Sequence, residues 1–434
     1  MEKEIKKDTN QKPFLASETK KNYKHAPLYR SISNENYSKI SYKNILKKFE
    51  VMGIQKDDPR LRYFFENMKD KKLDEKVSDE SFNDILENQS KLFQKVLKGN
   101  LAVPDFTSFS NEIKDIYKKT RTNNQGKVAD YIPQLKRVDP GMYGISVCTI
   151  DGQRYSIGDT NEYFCVQSTC KPINYCIALD DLGEDFVHKH VGHEPSGKGF
   201  NELTLNDRGL PHNPMINSGA IMTSSMLKPN LNIADRFDYV LNMWKKLSGS
   251  HRIGFNNSVY LSEKQTADRN FALSYFMREN NAFPENTNLL EVLEFYFQCC
   301  SIEITTDAMS IVAGTLANGG VCPTTGIKVF HPETVKNCLS LMYSCGMYDF
   351  SGEFAFRIGL PAKSGVSGAV LLVIPNVMGI AIWSPKLDSL GNSVKGLHFC
   401  EELIKKYSLH NYDTLIISQQ SKKRPSISPL SKRK

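Results

Sequence analysis

The chain has 434 residues and a mass of 49.2 kDa, room for one large domain and one or two small ones at about 150 residues each. With 40% hydrophobic and 24% charged residues it is globular in composition, and its longest apolar stretch, Gly368 to Trp383, is interrupted by Pro375-Asn376 and falls short of the ~20 residues a bilayer span needs. The net charge of +8 belongs to the tails: residues 1–24 hold seven Lys against four acidic residues and 422–434 hold six basic residues and no acid, so the body is near −1 and no nucleic-acid partner is expected.

In chain order, residues 1–26 read as a mobile, polar, Lys/Asn-rich tail. This start has no apolar signal core, and Glu2, Glu4 and Asp8 argue against an acidic-poor transit peptide. Residues 27–120 read as a helical domain, with apolar residues at three- and four-residue intervals over Tyr42–Met52, Arg60–Met68, Asp79–Leu97 and Phe106–Thr120. The loop Asp70–Ser81 lacks the ligand pattern of a calcium loop, so no calcium site is expected there.

Residues 121–415 read as the large domain, an antiparallel sheet flanked by helices in the α+β class. Ile145–Ile150 and Gln153–Ile157 form a hairpin around Asp151-Gly152, a pair suited to a type I′ turn. Gly368–Ile374 and Met378–Trp383 form a second antiparallel pair. Between the pairs lie helical segments Cys170–Leu182, Ile233–Leu247, Glu263–Arg278, Leu289–Cys300, Thr306–Ala317 and Pro332–Met342. Residues 416–434 are a basic Ser/Pro tail. The ten cysteines form no regular framework, which fits a reducing compartment. His188, His190 and His193 have no partner carboxylate or Cys spacing, so no metal is expected.

The sharpest chemical signal is Gln167-Ser168-Thr169-Cys170-Lys171-Pro172. Pro172 is tolerated only in a first helical turn, so a helix should begin near Ser168 and carry Lys171 on the same face. The hydroxyl then lies at the positive end of a helix dipole, beside an amine that takes its proton once burial lowers the amine's pKa. The spacing alone is weak, since Ser17–Lys20, Ser225–Lys228 and Ser431–Lys434 share it. Lys363-Ser364-Gly365 strengthens it: K-[ST]-G late in the chain is the pattern by which penicillin-recognising serine enzymes place a sheet-edge strand beside the nucleophile.

Four longer segments carry a resemblance. They are Gly126–Leu135 (GKVADYIPQL), Gln167–Pro172, Pro211–Ala220 (PHNPMINSGA) and Cys345–Gly352 (CGMYDFSG). Over about residues 27–415 the chain resembles the serine-dependent glutaminases, most of all the animal kidney-type, phosphate-activated form. The resemblance implies a β-lactamase/transpeptidase-like domain preceded by an EF-hand-like helical domain, and hydrolysis of L-glutamine to L-glutamate and ammonia. It implies Ser168 as nucleophile, Lys171 as proton acceptor alone or with Tyr348, and Tyr131 over the substrate assisting proton transfer. The backbone N–H groups of Ser168 and Val366 become the oxyanion hole. Gln167, Asn217, Glu263, Asn270, Tyr296, Tyr348 and Val366 become substrate-binding positions: Glu263 suits the α-ammonium, and Asn217, Asn270 and Tyr296 suit the α-carboxylate. Gly197–Asp207 matches the family's gating loop, with Leu203-Thr204-Leu205 where the family has leucine-phenylalanine-leucine. The resemblance further implies no cofactor, inorganic phosphate as activator, homodimers and homotetramers (the sequence leaves filaments undecided), no membrane insertion, and a mitochondrial location, against a cytoplasmic one suggested by the chain's start. A penicillin-recognising hydrolase and an inactive scaffold of the same fold are the alternatives.

Overall fold

The computed structural model describes residues 40–88, 91–199 and 202–415. The two tails expected at 1–26 and 416–434 lie outside the described residues, as do residues 27–39 of the expected helical domain and Phe200 and Asn201 of the expected gating loop.

The N-terminal helices are α1 (Tyr42–Val51), α2 (Arg62–Met68), α3 (Asp79–Asn88), α4 (Lys91–Lys98) and α5 (Phe106–Arg121). Ser41 caps α1 and Asp105 caps α5, each side chain accepting a backbone N–H of the first turn. Phe49, Phe64 and Phe93 form the centre of a separate aromatic core, with Phe49 and Phe93 ring centroids 5.1 Å apart.

The main sheet runs β2-β1-β8-β7-β6, antiparallel throughout: β1 is Gly144–Thr149, β2 Arg154–Gly158, β6 Ala362–Gly365, β7 Ala369–Ile374 and β8 Met378–Trp383. A second, small sheet joins β3 (Tyr163–Cys165), β5 (Ile302–Thr305) and β4 (Gly254–Phe255) in that order. Along β7, Ala369, Leu371 and Val373 face one core while Val370, Leu372 and Ile374 face another. The sheet is therefore buried on both sides, which is why β7 and β8 read as unbroken apolar runs rather than as alternation. Each such Leu or Ile contributes about 1.5–3 kcal/mol by its burial.

The longer helices of this domain are α6 (Cys170–Leu182), α7 (Asn217–Met226), α8 (Ile233–Leu247), α9 (Asn257–Gln265), α10 (Asp268–Glu279), α11 (Leu289–Cys300), α12 (Thr306–Ala317), α13 (Pro332–Cys345) and α14 (Val394–Lys406). α12 packs on β1 and β8 on one face of the sheet, and α14 packs with α5 on the other.

Two local expectations change. The β1–β2 connection is not a two-residue type I′ turn: Thr149 N donates to Gln153 O, and of Asp151-Gly152 only Gly152 has positive φ, at 84°. The loop is longer because Asp151 serves the helical domain, accepting from Ala102 N (2.7 Å) and Lys95 Nζ (2.6 Å). The expected helix Glu263–Arg278 is two helices, α9 and α10, parted at Thr266-Ala267, where the Thr266 hydroxyl turns back to Ser262 O (3.0 Å). The expected Asp79–Leu97 helix is described as helix over Asp79–Asn88 and Lys91–Lys98, and residues 89 and 90 lie outside the described residues.

Candidate active site

β3 delivers the chain into a single 3-10 turn, Gln167–Thr169, from which α6 continues. Ser168 thus sits one step before the α-helix, and Pro172 occupies the helix's first turn, where its missing N–H leaves no bond unmade. Gln167 has φ +47°, a conformation a non-glycine residue holds only when its surroundings impose it. Thr169 supplies part of that constraint, its hydroxyl and its N–H both donating to Val166 O (2.6 and 2.9 Å).

Lys171 is buried, and its Nζ donates to Ser168 Oγ (2.9 Å) and to Asn217 Oδ1 (2.7 Å). Burial lowers the Lys171 pKa, with Cys300, Cys170 and Glu263 opposing the shift. Asn217 opens α7, and its Oδ1 also accepts from the Tyr296 hydroxyl of α11 (3.4 Å). Burial pushes the Tyr296 hydroxyl well up, so it stays a donor.

Glu263, on α9, accepts from the Tyr131 hydroxyl (2.6 Å) and from Gln167 Nε2 (3.0 Å). Burial raises the Glu263 pKa, while those two hydrogen bonds and Lys171 pull it down. Much of the Tyr131 ring is exposed, yet its hydroxyl turns inward, and burial beside Glu263 raises its pKa well above the usual value. Tyr131 thus meets the Ser168 turn through Glu263 and Gln167. Asn270 lies on α10, which packs on α7; its Oδ1 is buried with no hydrogen-bond partner among the described residues.

Tyr348 follows α13 with φ +53°. Burial pushes its hydroxyl pKa up, and the nearby Ser168 side chain and Val366 backbone offset part of that rise. β6 lies against the Ser168 turn: a Cβ at Gly365 would come within 3.1 Å of Val166 O and 3.3 Å of Thr169 Cγ2, so a side chain there would press the strand and the turn apart by a few tenths of an ångström. Val366 follows directly and packs on the apolar cluster of Ile132, Leu135, Cys165 and Val259.

Hydrogen bonds therefore link Ser168, Lys171, Asn217 and Tyr296, and likewise Gln167, Glu263 and Tyr131, the two groups meeting at the Gln167–Ser168 peptide; Tyr348 and Val366 lie beside Ser168, and Asn270 is placed next to them through its helix. A cavity of about 490 Å³ reaches Tyr348 and is bounded by Ser196, Lys198 and Gly199 of the expected gating loop. A larger cleft, about 610 Å³, lies elsewhere, at the junction with the helical domain around Arg154, Asp57 and Asp307. Two features escaped the sequence reading. Lys363 is wholly buried, visible as a motif letter but with no role assigned to it. The Cys170 and Cys300 thiols meet under Lys171 at 4.0 Å, a pairing no spacing announces.

The three histidines are engaged in packing. His188 bonds Val191 O through Nδ1 (2.9 Å) and the Tyr175 hydroxyl through Nε2 (2.7 Å), His190 bonds Ala282 O (2.8 Å), and the His188 and His193 rings stack at 3.7 Å. Among the described residues no group of three or more His, Cys, Asp or Glu is placed to hold a metal ion, and no helix is long and apolar enough to cross a membrane.

Comparison with known proteins places this geometry in context. The family model for glutaminase matches residues 126–412, and an EF-hand domain model matches residues 25–104. A putative glutaminase 2 of Caenorhabditis elegans is 47% identical over 408 residues, covering 91% of this chain and 67% of the relative. The mitochondrial liver isoform of glutaminase from Mus musculus is 45% identical over 392 residues, covering 88% of this chain and 64% of the relative. The chain thus spans about two thirds of the length of these curated relatives. Among solved structures, a probable glutaminase is 33% identical with a TM-score of 0.66, covering 69% of this chain and 96% of that one. The native form of a protein titled Mglu is 34% identical with the same TM-score, covering 69% of this chain and 72% of that one.

Proposed function

Because this chain belongs to the glutaminase family of amidohydrolases, with that family's antiparallel sheet flanked by helices, we propose that it hydrolyses the side-chain amide of L-glutamine through a glutamyl ester on Ser168. The observation that carries the reading is the Lys171 amine 2.9 Å from Ser168 Oγ, buried, with its other hydrogen bond spent on Asn217.

Once it has lost a proton, Lys171 keeps one N–H on Asn217 and turns its lone pair to the Ser168 O–H, reversing the 2.9 Å bond that it otherwise donates. Ser168 Oγ adds to the amide carbon as its proton passes to Lys171. The N–H groups of Ser168 and Val366 hold the resulting oxyanion; such a donor contributes about 10²–10³ in rate. Collapse breaks the C–N bond, and the leaving nitrogen takes a proton from the Lys171 ammonium, directly or through Tyr348, and departs as ammonia. Water then adds to the ester, its proton passes to Lys171, and glutamate leaves as Ser168 recovers its proton.

The remaining residues fix the substrate. Glu263 pairs with the α-ammonium, with Tyr131 and Gln167 holding its carboxylate in place. Asn217 has its Oδ1 held by Lys171, which leaves its amide N–H₂ for the α-carboxylate together with Asn270, and Tyr296 joins them by giving up its 3.4 Å bond to Asn217. A site that bonds both α-groups discriminates against analogues lacking either by about 10⁴–10⁵. The same reading takes inorganic phosphate as activator and no cofactor, and dimers and tetramers as the assembled form. A mitochondrial location follows the naming of the mouse and rat relatives.

Ammonia release from L-glutamine, with and without phosphate, is the direct test. Hydroxylamine should divert the ester to γ-glutamyl hydroxamate in the wild type and yield none in Ser168→Ala. Ammonia release equal in both proteins, or nitrocefin turnover without ammonia release, would sink the reading.

A further inference from the structure

The buried lysine of β6 is not spent on substrate. Lys363 Nζ donates to Ser364 O (2.9 Å) and to Gly346 O (3.1 Å), and lies 4.5 Å from the centroid of the Tyr348 ring. Two of its three donors are thus committed to carbonyls, and the ring face meets its charge. The carbonyls are informative by position. Gly346 lies two residues before Tyr348, and Ser364 two residues before Val366. Gly346 O also accepts from Ser364 N (3.1 Å), and a Cβ at Gly346 would fall 1.8 Å from Ala362 O, so the segment entering Tyr348 is pressed onto β6 at this point. Tyr348 itself has φ +53°, a backbone state that must be imposed from outside.

We propose that Lys363 is a positioning residue for the glutaminase reaction: one amine ties the segment that carries Tyr348 to the strand that carries the Val366 N–H, and so keeps the proton carrier and the oxyanion donor in register over Ser168. The proposal rests on the reading of the site given above. It gives the K-[ST]-G lysine a structural address facing the protein interior, away from the substrate. Burial and the nearby Lys171 both lower the Lys363 pKa, which agrees with an amine that need not carry full charge to act as a hydrogen-bond donor.

The test pairs Lys363→Met with Tyr348→Phe and the double variant, each checked for folding by thermal unfolding. Two activities are followed: ammonia release from glutamine, and acylation of Ser168 by p-nitrophenyl acetate read by mass spectrometry. Lys363→Met should lower kcat about 100-fold with KM changed less than about threefold, as expected when an interaction made only in the transition state is lost. In the Tyr348→Phe background the same change should slow the enzyme by less than about threefold, because the two residues act as one unit. Lys363→Gln, which retains N–H donors for the carbonyls, should lose less than Lys363→Met; where the Met variant does not fold, Lys363→Leu is read in its place against the same thresholds. A kcat within about threefold of wild type, a rise in KM at unchanged kcat, or full additivity with Tyr348→Phe would each overturn the proposal. Wild type that acylates at Ser168 but releases no ammonia would overturn the glutaminase reading, while the acylation series would still decide the role of Lys363.

Discussion

Two serines in this domain stand three residues before a lysine, and they could hardly differ more. Ser168 precedes a helix, and Lys171 folds back into the interior with its amine on the hydroxyl. Ser225 ends a helix, α7, and its hydroxyl donates to Met222 O (2.7 Å), while Lys228 leaves with φ +45° to pair with Asp181 (3.0 Å) beside the Tyr239 ring. The hydrogen bond to Asp181 raises the Lys228 pKa; burial lowers that of Lys171. Equal spacing therefore gives opposite chemistry. What decides is which end of the helix the serine occupies, since the N-terminal end offers unpaired N–H groups and the C-terminal end offers only carbonyls, and whether the amine is desolvated or given a carboxylate.

Exchanging one functional group at each site breaks that comparison most sharply at Ser168. Ser168→Ala should lower kcat for glutamine by about 10⁴-fold or more, the loss seen when a serine nucleophile is removed, with the melting temperature within a few degrees of wild type. Steady-state ammonia release and thermal unfolding measure both halves. Lys171→Met should come next, at about 10²–10⁴-fold in kcat, the range general-base catalysis supplies, because Ser168 then has no group to take its proton. A Lys171→Met enzyme holding more than a tenth of wild-type rate would shift the base role elsewhere, Tyr348 first.

That pair was legible in the sequence only in outline. The helices Ile233–Leu247, Leu289–Cys300 and Thr306–Ala317 could be bounded correctly because Asn232, Asn288 and Thr305 cap them and apolar residues recur inside. α7 could not, since every residue from Ser218 to Met226 is buried and a helix buried all round has no polar face to set a period. α14 was hidden by Lys395 and Gly396 in its first turn, a charge and a poor helix former that are both buried. The small sheet of β3, β5 and β4 was missed because its strands have only two to four residues. For the site, S-x-x-K gave the serine and lysine but not their selection over Ser225 and Lys228. That selection comes from Asn217 and Tyr348, far along the chain, and only the longer family segments pointed to them. Lys363 was legible as a letter, while its partners, two backbone carbonyls and a ring, leave no trace in a sequence.

The two lysines should also part company in their response to pH. The folded Lys171 pKa lies below its unfolded value, near 10.4, so between the two the unfolded chain binds a proton that the folded chain does not. Stability therefore rises with pH through that window, and below the folded pKa this contribution is fully unfavourable. In the same direction, kcat/KM should fall on acidification as Lys171 becomes protonated and loses its lone pair. Lys171→Met should flatten the stability slope and be no less stable than wild type at neutral pH, as urea unfolding across pH would record. For Lys228 the shift is upward, so its contribution is present at neutral pH and lost only as pH rises through the folded value.

The smallest effects belong to the second pair, and they sharpen the contrast by their smallness. Ser225→Ala removes a hydroxyl whose bond goes to a carbonyl of its own helix, and Lys228→Ala removes a partly exposed ion pair with Asp181. A partly exposed pair of this kind contributes about 0–1 kcal/mol, so Lys228→Ala should shift the melting temperature only slightly and fade from detection in high salt. Neither variant touches the Ser168 cluster, so kcat and KM for glutamine should stay within about twofold of wild type, as for distant independent sites. A large activity loss in either would mean that α7, which presents Asn217 at its other end, transmits strain along its length, and that the two S-x-x-K sites are parts of one device.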